Sequence, residues 1–384
     1  NGLVLRRFRV TPNVATAGLD DLRTGQSLLR AVKPEARVRV DGVDYAVGGP
    51  TGQPNNAYLS DTFLDAMVAD PAALHCVRVA ALPVEARFPW AQVRPHAPGC
   101  VWPPKGAHLR FDYVTPEGAA KKFSVSVHYE LYDGIPVFCK WLTVHNDDAA
   151  PMLLETFSNE ILAIVEYGST VESRDMAVQT PNLFVETEYA FLGMASEDSG
   201  KHSIFWMPDP EYATQVNYDL KNPCLLETHP EYGPAETLAP GGDFVSFRTF
   251  TMPLDSYDRE RNGLAQRRFY RTVAPWATEN PLMMHVRYAD RKTVFEAIDQ
   301  CAETGFEMVI LTFGSGFDPE DIAENKLKRM TGYHEYAASK GIEIGGYSLL
   351  ASRHIDEKND VVMPEGKSPA FGASPCLLSE WGNA

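Results

Sequence analysis

The sequence predicts an antiparallel β-sandwich over residues 1–254, a linker helix over 255–280, and the first part of a (β/α)8 barrel, β-α-β-α-β, over 281–384. Three observations predict this arrangement. Two Asp-Gly pairs separate alternating runs in the first half, and such pairs favour hairpins because both turn positions adopt positive φ. Before residue 254 only 60–68 approaches a helical period. After residue 281 apolar runs alternate with amphipathic stretches, the pattern of parallel strands covered by helices.

The elements follow in chain order. Residues 3–10 read as a strand. Residues 37–40 lead into Asp41-Gly42, and 43–47 return. Residues 108–114 form a strand ended by the turn Thr115-Pro116-Glu117-Gly118. The alternation of 123–132 turns at Asp133-Gly134 and comes back through 135–144. Further strands are expected at 184–191, 202–207 and 244–251. Many short strands with Gly and Pro turns suit a sandwich, and the absence of a fixed period disfavours a propeller or solenoid. The aromatic residues Trp90, Trp102, Trp141 and Trp206 are read as core before sugar-stacking surface, because aromatics dominate β cores.

Residues 256–273 carry Asp258, Arg259, Glu260, Arg261, Arg267, Arg268 and Arg271 and read as a solvated helix ended by Pro275. Residues 282–288 read as a strand. Asp290 caps a helix whose apolar face is Val294, Ala297, Ile298 and Cys301, and Gly305 ends it. Residues 306–313 form the second strand. A helix with Leu327, Met330 and Ala337 on one side follows, Gly341 stops it, and 342–350 form the third strand. No Gly-x-Gly-x-x-Gly follows the first strand, which disfavours a dinucleotide.

At 384 residues the chain is long enough for two domains. Its net charge of −16 argues against a nucleic-acid partner, and no apolar run approaches the roughly 20 residues of a membrane helix. Six scattered cysteines give neither a zinc nor a redox spacing, so neither metal nor cofactor is expected. Three strands cannot close a barrel that needs eight, and Asn1 is not methionine. A piece of a longer protein is therefore expected.

On the first strand Met283, His285 and Arg287 share one face, and Leu282, Met284, Val286 and Tyr288 the other. With the apolar face against the helices, His285 and Arg287 turn inward at the C-terminal end, where a barrel does its work. Ser315 lies in the loop after the second strand. Tyr347, Ser348 and Arg353 lie at the end of the third, and Glu380 and Trp381 in the loop beyond. These eight are the candidate substrate-binding residues, with Trp381 as a stacking plane. Glu343 opens the third strand and is read as structural. Asp318, Glu320 and Asp321 are read as helix N-terminal charges.

The segments PWATENPLMMHVRY, AETGFEMVILTFGSGF, KGIEIGGYSLLASR and SPCLLSEWG, with the sandwich before them, resemble bacterial α-galactosidases of glycoside hydrolase family 36 and its clan D relatives. The resemblance implies retaining hydrolysis of a terminal glycosidic bond by two carboxylates about 5 Å apart. It places both beyond Ala384, so no catalytic residue is named here and the piece alone is expected to be inactive. It also implies an oligo- or polysaccharide partner and a secreted or periplasmic setting. The family's Asp-Asp-Gly-Trp-like stretch is replaced by Thr312-Phe313-Gly314-Ser315-Gly316-Phe317, which leaves the sugar open and offers Phe317 as a stacking ring. Two alternatives stand beside this reading. One is a non-catalytic carbohydrate-binding sandwich with an exposed aromatic row. The other is a barrel lyase or epimerase using a metal or a Lys/His base, for which no metal-ligand spacing speaks.

Overall fold

The computed structural model describes residues 1–94, 96, 99–169, 179–189, 200–312, 314–318 and 321–347. The chain divides into two compact units, Asn1–Ala91 with Pro98–Pro275, and Gln92–Ala97 with Trp276–Ala384.

The first unit is built on a seven-stranded antiparallel sheet. Its main path runs Leu183–Thr187, Thr249–Pro253, Phe138–Asn146, Phe123–Tyr132, Gly106–Val114, His75–Leu82. Alternation sends Phe123, Val125, Val127 and Tyr129 to one face, where Leu142 and Val144 join them. There they meet Val38, Val40, Tyr45, Leu154 and Phe157 from the four-stranded sheet that holds Ala36–Val40, Val43–Val47 and Met152–Ser158. Asp41 (φ 47) and Gly42 (φ 80) make the turn between the strands Ala36–Val40 and Val43–Val47, as a primed hairpin requires.

The single strand expected at 244–251 is two strands, Asp243–Val245 and Thr249–Pro253, both paired with Phe138–Asn146. Val245 faces Thr143 and Thr249 faces Lys140, so one strand has an extra residue between the two pairings. That is a bulge. Ser246 sits in it, and its hydroxyl accepts the Leu142 N–H at 2.9 Å.

The other face of the large sheet takes the helix Arg259–Val273. Asp258 caps it by accepting the Arg261 N–H at 2.7 Å. Phe269 and Val273 are buried against Tyr132, Cys139, Trp141, Phe250 and Met252. This helix, read from sequence as a solvated linker, is a packed part of the first unit, because Phe269 meets Phe184 and Phe250 edge-on at 5.3 Å each.

An ionic cluster around Glu160 is buried in the first unit. Glu160 accepts from Arg6 at 2.7 Å and from Lys140 at 2.8 Å, and the Tyr129 hydroxyl donates to Glu35. Burial pushes the Glu160 carboxyl up, but Arg6 and Lys140 outweigh it and hold the pKa at about 2.

The second unit carries a three-stranded parallel sheet, Met283–Val286, Met308–Leu311, Glu343–Gly346 in that order. The helices Arg291–Thr304 and Glu324–Ser339 pack against it. Asp290 caps the first by accepting the Thr293 N–H at 3.1 Å, and Gly305 ends it at φ 83. Val286, Val294, Ile298, Cys301, Val309, Leu311, Tyr333 and Ala337 form the core between. Leu327, assigned from sequence to the apolar side of the second helix, is 51% exposed.

The expected fold class is corrected here. Strand makes up 36% of the structure and helix 17%, with four helices among the described residues. That is too little helix for the barrel part. A (β/α)8 barrel needs eight strands closed into a ring with helices outside. Residues 283–346 instead form an open sheet of three strands of four residues each, with two helices. The first unit likewise distributes its strands over several antiparallel sheets rather than a plain two-sheet sandwich. No described helix is long and apolar enough to cross a membrane.

Candidate functional site

In an open α/β sheet, ligands bind outside the carboxyl ends of the parallel strands. Here three backbone hydrogen bonds hold those ends together. Thr312 donates its N–H to the Val286 carbonyl at 3.2 Å, Ala289 donates to the Ser315 carbonyl at 2.8 Å, and Tyr347 donates to the Leu311 carbonyl at 2.9 Å.

The four described candidates take different positions. Val286 is buried in the core while His285 and Arg287 are exposed, on the other side of the alternation. Neither the His285 ring nor the Arg287 guanidinium forms a hydrogen bond or ion pair among the described residues; Arg287 only approaches the Tyr288 ring, at 5.7 Å from its centroid. Tyr347, at 41% exposure, stands at the end of the third strand. In register with His285 comes Ile310 and, one strand further, Gly345, where a Cβ would meet the Met308 sulfur at 3.2 Å.

Ser315 is drawn inward. It is 8% exposed, and its hydroxyl accepts the Phe317 N–H at 3.3 Å. Phe317, offered above as a stacking ring, packs on the core instead. A Cβ at Gly346 would lie 2.1 Å from its Cε1. Ser348, Arg353, Glu380 and Trp381 lie outside the described residues.

Carboxylates near this sheet are already engaged. Asp290 is held below the usual carboxylate range by the Thr293 hydroxyl and N–H. Asp321 accepts the Ala323 N–H at 3.2 Å and pairs with Lys326. Glu307 accepts the Leu282 N–H at 2.8 Å and faces His96, while Glu343 pairs with Arg94. Among the described residues of the strand ends, His285, Arg287 and the hydroxyls of Tyr288 and Tyr347 carry no hydrogen bond, and hydrogen-bond donors predominate among them. Such a set suits recognition of hydroxyls. Among the described residues no cluster of His, Cys, Asp and Glu is arranged to hold a metal ion.

A second concavity lies in the first unit, a groove of ≈ 810 Å³ lined by Tyr167, Phe184, Trp206, Tyr257 and Tyr270 together with Gln179, Asn182 and Gln266. Tyr257 is 68% exposed and meets Tyr167 edge-on at 5.3 Å. Asn182 donates to the Leu254 and Ser256 carbonyls at 3.1 and 2.9 Å, which fixes the groove wall. The sequence reading missed this row. Its rings come from four separate segments, and the one usable signal was Tyr257 standing in the polar run Asp255-Ser256-Tyr257-Asp258.

Trp141 is core, as an aromatic of a β sheet is expected to be, but its company is polar. His128 stacks on it at 4.6 Å with a 7° interplanar angle, and the Arg248 guanidinium lies 3.9 Å from its centroid. Burial, aided by His108 and Arg110, pushes the His128 imidazole down to about 3.

No protein-family model matches the chain, and no curated protein matches it. Solved structures similar to it include the GH36 alpha-galactosidase AgaA of Geobacillus stearothermophilus, with a TM-score of 0.50 and 12% identity over 90% of this chain and 55% of that one. A variant of that enzyme in complex with stachyose gives a TM-score of 0.49 at 12% identity, over the same 90% and 55%. A beta-arabinopyranosidase gives 0.43 at 9%, over 90% and 54%. The chain spans about half the length of these structures. The likeness is one of fold: the chain has a glycoside hydrolase-like fold.

Proposed function

We propose that this chain is the sugar-recognising part of a glycoside hydrolase of α-galactosidase type, binding a terminal sugar at the carboxyl ends of its parallel strands. The observation that carries the reading is the likeness in fold to the family 36 enzyme over 90% of the chain. The site supports it, because His285 and Arg287 at the end of the first strand and Tyr347 at the end of the third offer polar side-chain groups with no hydrogen bond among the described residues. Double displacement needs two carboxylates about 5 Å apart, and near these ends Asp290 is occupied by a cap and Asp321 by an ion pair. On this reading the described residues bind an α-galactoside and supply neither carboxylate of the double displacement. Titration with stachyose, alongside an assay for galactose release, tests both halves. Saturable binding without release supports the reading, and no binding at millimolar sugar rejects it.

A second reading is a non-catalytic carbohydrate-binding protein that works through the first unit. The aromatic groove at Tyr167, Trp206, Tyr257 and Tyr270 favours it, since exposed rings beside amide side chains suit sugar stacking. Binding lost in Tyr257→Ala and kept in Arg287→Ala would select this reading.

A further inference from the structure

We propose that the groove between the helices Arg291–Thr304 and Glu324–Ser339 is an anion site that takes a phosphate dianion. The inference stands apart from the sugar reading. The groove has a volume of ≈ 650 Å³, and its walls include Arg291, Lys328, Arg329, Phe295, Tyr336 and Asn325. Asn325, Lys328, Arg329, Gly332 and Tyr336 recur at helical spacing, so they share one face of the second helix. A Cβ at Gly332 would meet nothing within 4 Å, which keeps that face open.

The charge is anomalous. The chain as a whole carries −16, yet three cations line this groove and Glu335 is the one acid among its lining residues. Cations elsewhere on the same two helices find carboxylates: Lys292 lies 3.9 Å from Glu296, and Lys340 lies 3.0 Å from Asp299. Arg291, Lys328 and Arg329 have no such partner among the described residues. The Nε of Arg329 is shut away from solvent with no hydrogen-bond acceptor. A buried donor of that kind is costly unless an acceptor reaches it.

The geometry also pins Arg291. The Arg291 guanidinium lies 4.9 Å from the Phe295 centroid, and Phe295 stacks on Tyr336 at 4.0 Å with a 6° angle. The Tyr336 hydroxyl donates to Asp299 at 2.8 Å, so it does not compete for the ligand. Three cations and one carboxylate leave two positive charges over, which matches a phosphate monoester or inorganic phosphate near neutral pH. Two guanidiniums supply paired N–H donors suited to phosphate oxygens, and the lysine adds a point charge.

The test uses the full chain, titrated with inorganic phosphate and separately with a hexose phosphate by calorimetry at low salt. Binding of either, weakened at least tenfold in Arg329→Gln and in the more exposed Lys328→Gln, and unchanged in Lys340→Gln, supports the site. Tighter binding of the hexose phosphate identifies a phosphorylated sugar as the source of the anion, and equal binding identifies free phosphate. Thermal midpoints of the variants separate loss of binding from loss of folding. No heat at millimolar phosphate overturns the proposal. So does binding indifferent to both Lys328 and Arg329. Self-association that disappears in Lys328→Gln, without phosphate binding, would overturn it too, since the occupant would then be the acidic surface of a second copy.

Discussion

Glu160 keeps its charge in the interior because Arg6 and Lys140 donate to it at 2.7 and 2.8 Å. Removing one member of such a cluster strands the others, which costs about 3–5 kcal/mol. Glu160→Gln should therefore lower the urea midpoint by far more than a surface change would. Its pH signature follows from a folded pKa of about 2, below the unfolded value. The stabilisation is complete above the unfolded carboxylate pKa and is lost as pH falls from there towards 2. His128 acts in a higher window. Its folded pKa is about 3, so between roughly 6.5 and 3 the unfolded chain takes up a proton that the folded chain does not. Stability should fall across that window on acidification, and His128→Gln should flatten that part of the thermal-midpoint profile. A profile unchanged by the substitution would refute the assignment. Neither residue was legible in the sequence as a partner of the others. Arg6, Glu35, Lys140 and Glu160 come together only through pairings between distant strands, and pattern reading sees neighbours in the chain.

At the scale of elements, local chemistry was legible where a few adjacent residues decide the geometry. Asp41-Gly42 turns as its backbone requires, and Asp290 and Gly305 start and stop their helix. The bulge at Ser246 was not legible, because an extra residue shows only against the partner strand. The segment Gln92–Ala97 was equally hidden. It has no period, yet it belongs to the second unit and brings Arg94 and His96 to Glu343 and Glu307. The glycine pair Gly345-Gly346 was a signal left unused, since glycine inside a strand often marks a close approach. At Gly346 the approach is the Phe317 ring. Gly346→Ala should destabilise the second unit, by about 1–3 kcal/mol if the ring must shift, and Phe317→Ala in the same chain should recover part of that loss. Additive effects in the double-mutant cycle would contradict the contact.

At the scale of the whole molecule, the two compact units divide at Pro275, inside the stretch 255–280 read from sequence as a linker, and closure of the second part into a barrel could not be read from the sequence. Parallel pairing and helix cover are local to each β-α-β unit; ring closure depends on the number and shear of all strands together. What forms is an open sheet whose outer strands, Met283–Val286 and Glu343–Gly346, have no second partner among the described residues. Short edge strands open readily. Amide exchange should therefore be faster along 343–346 than along 138–146, which is paired on both sides. Equal protection would count against an open sheet.

The most direct measurement is a stachyose titration followed on backbone amide resonances, with wild type and Arg287→Ala side by side. Saturable shifts are expected around 285–288, 312–316 and 345–347. Affinity at least tenfold weaker in the variant, at an unchanged thermal midpoint, is expected with them. Shifts confined to Tyr167, Tyr257 and Tyr270, or equal affinity in the two proteins, would contradict binding at the carboxyl ends of the parallel strands.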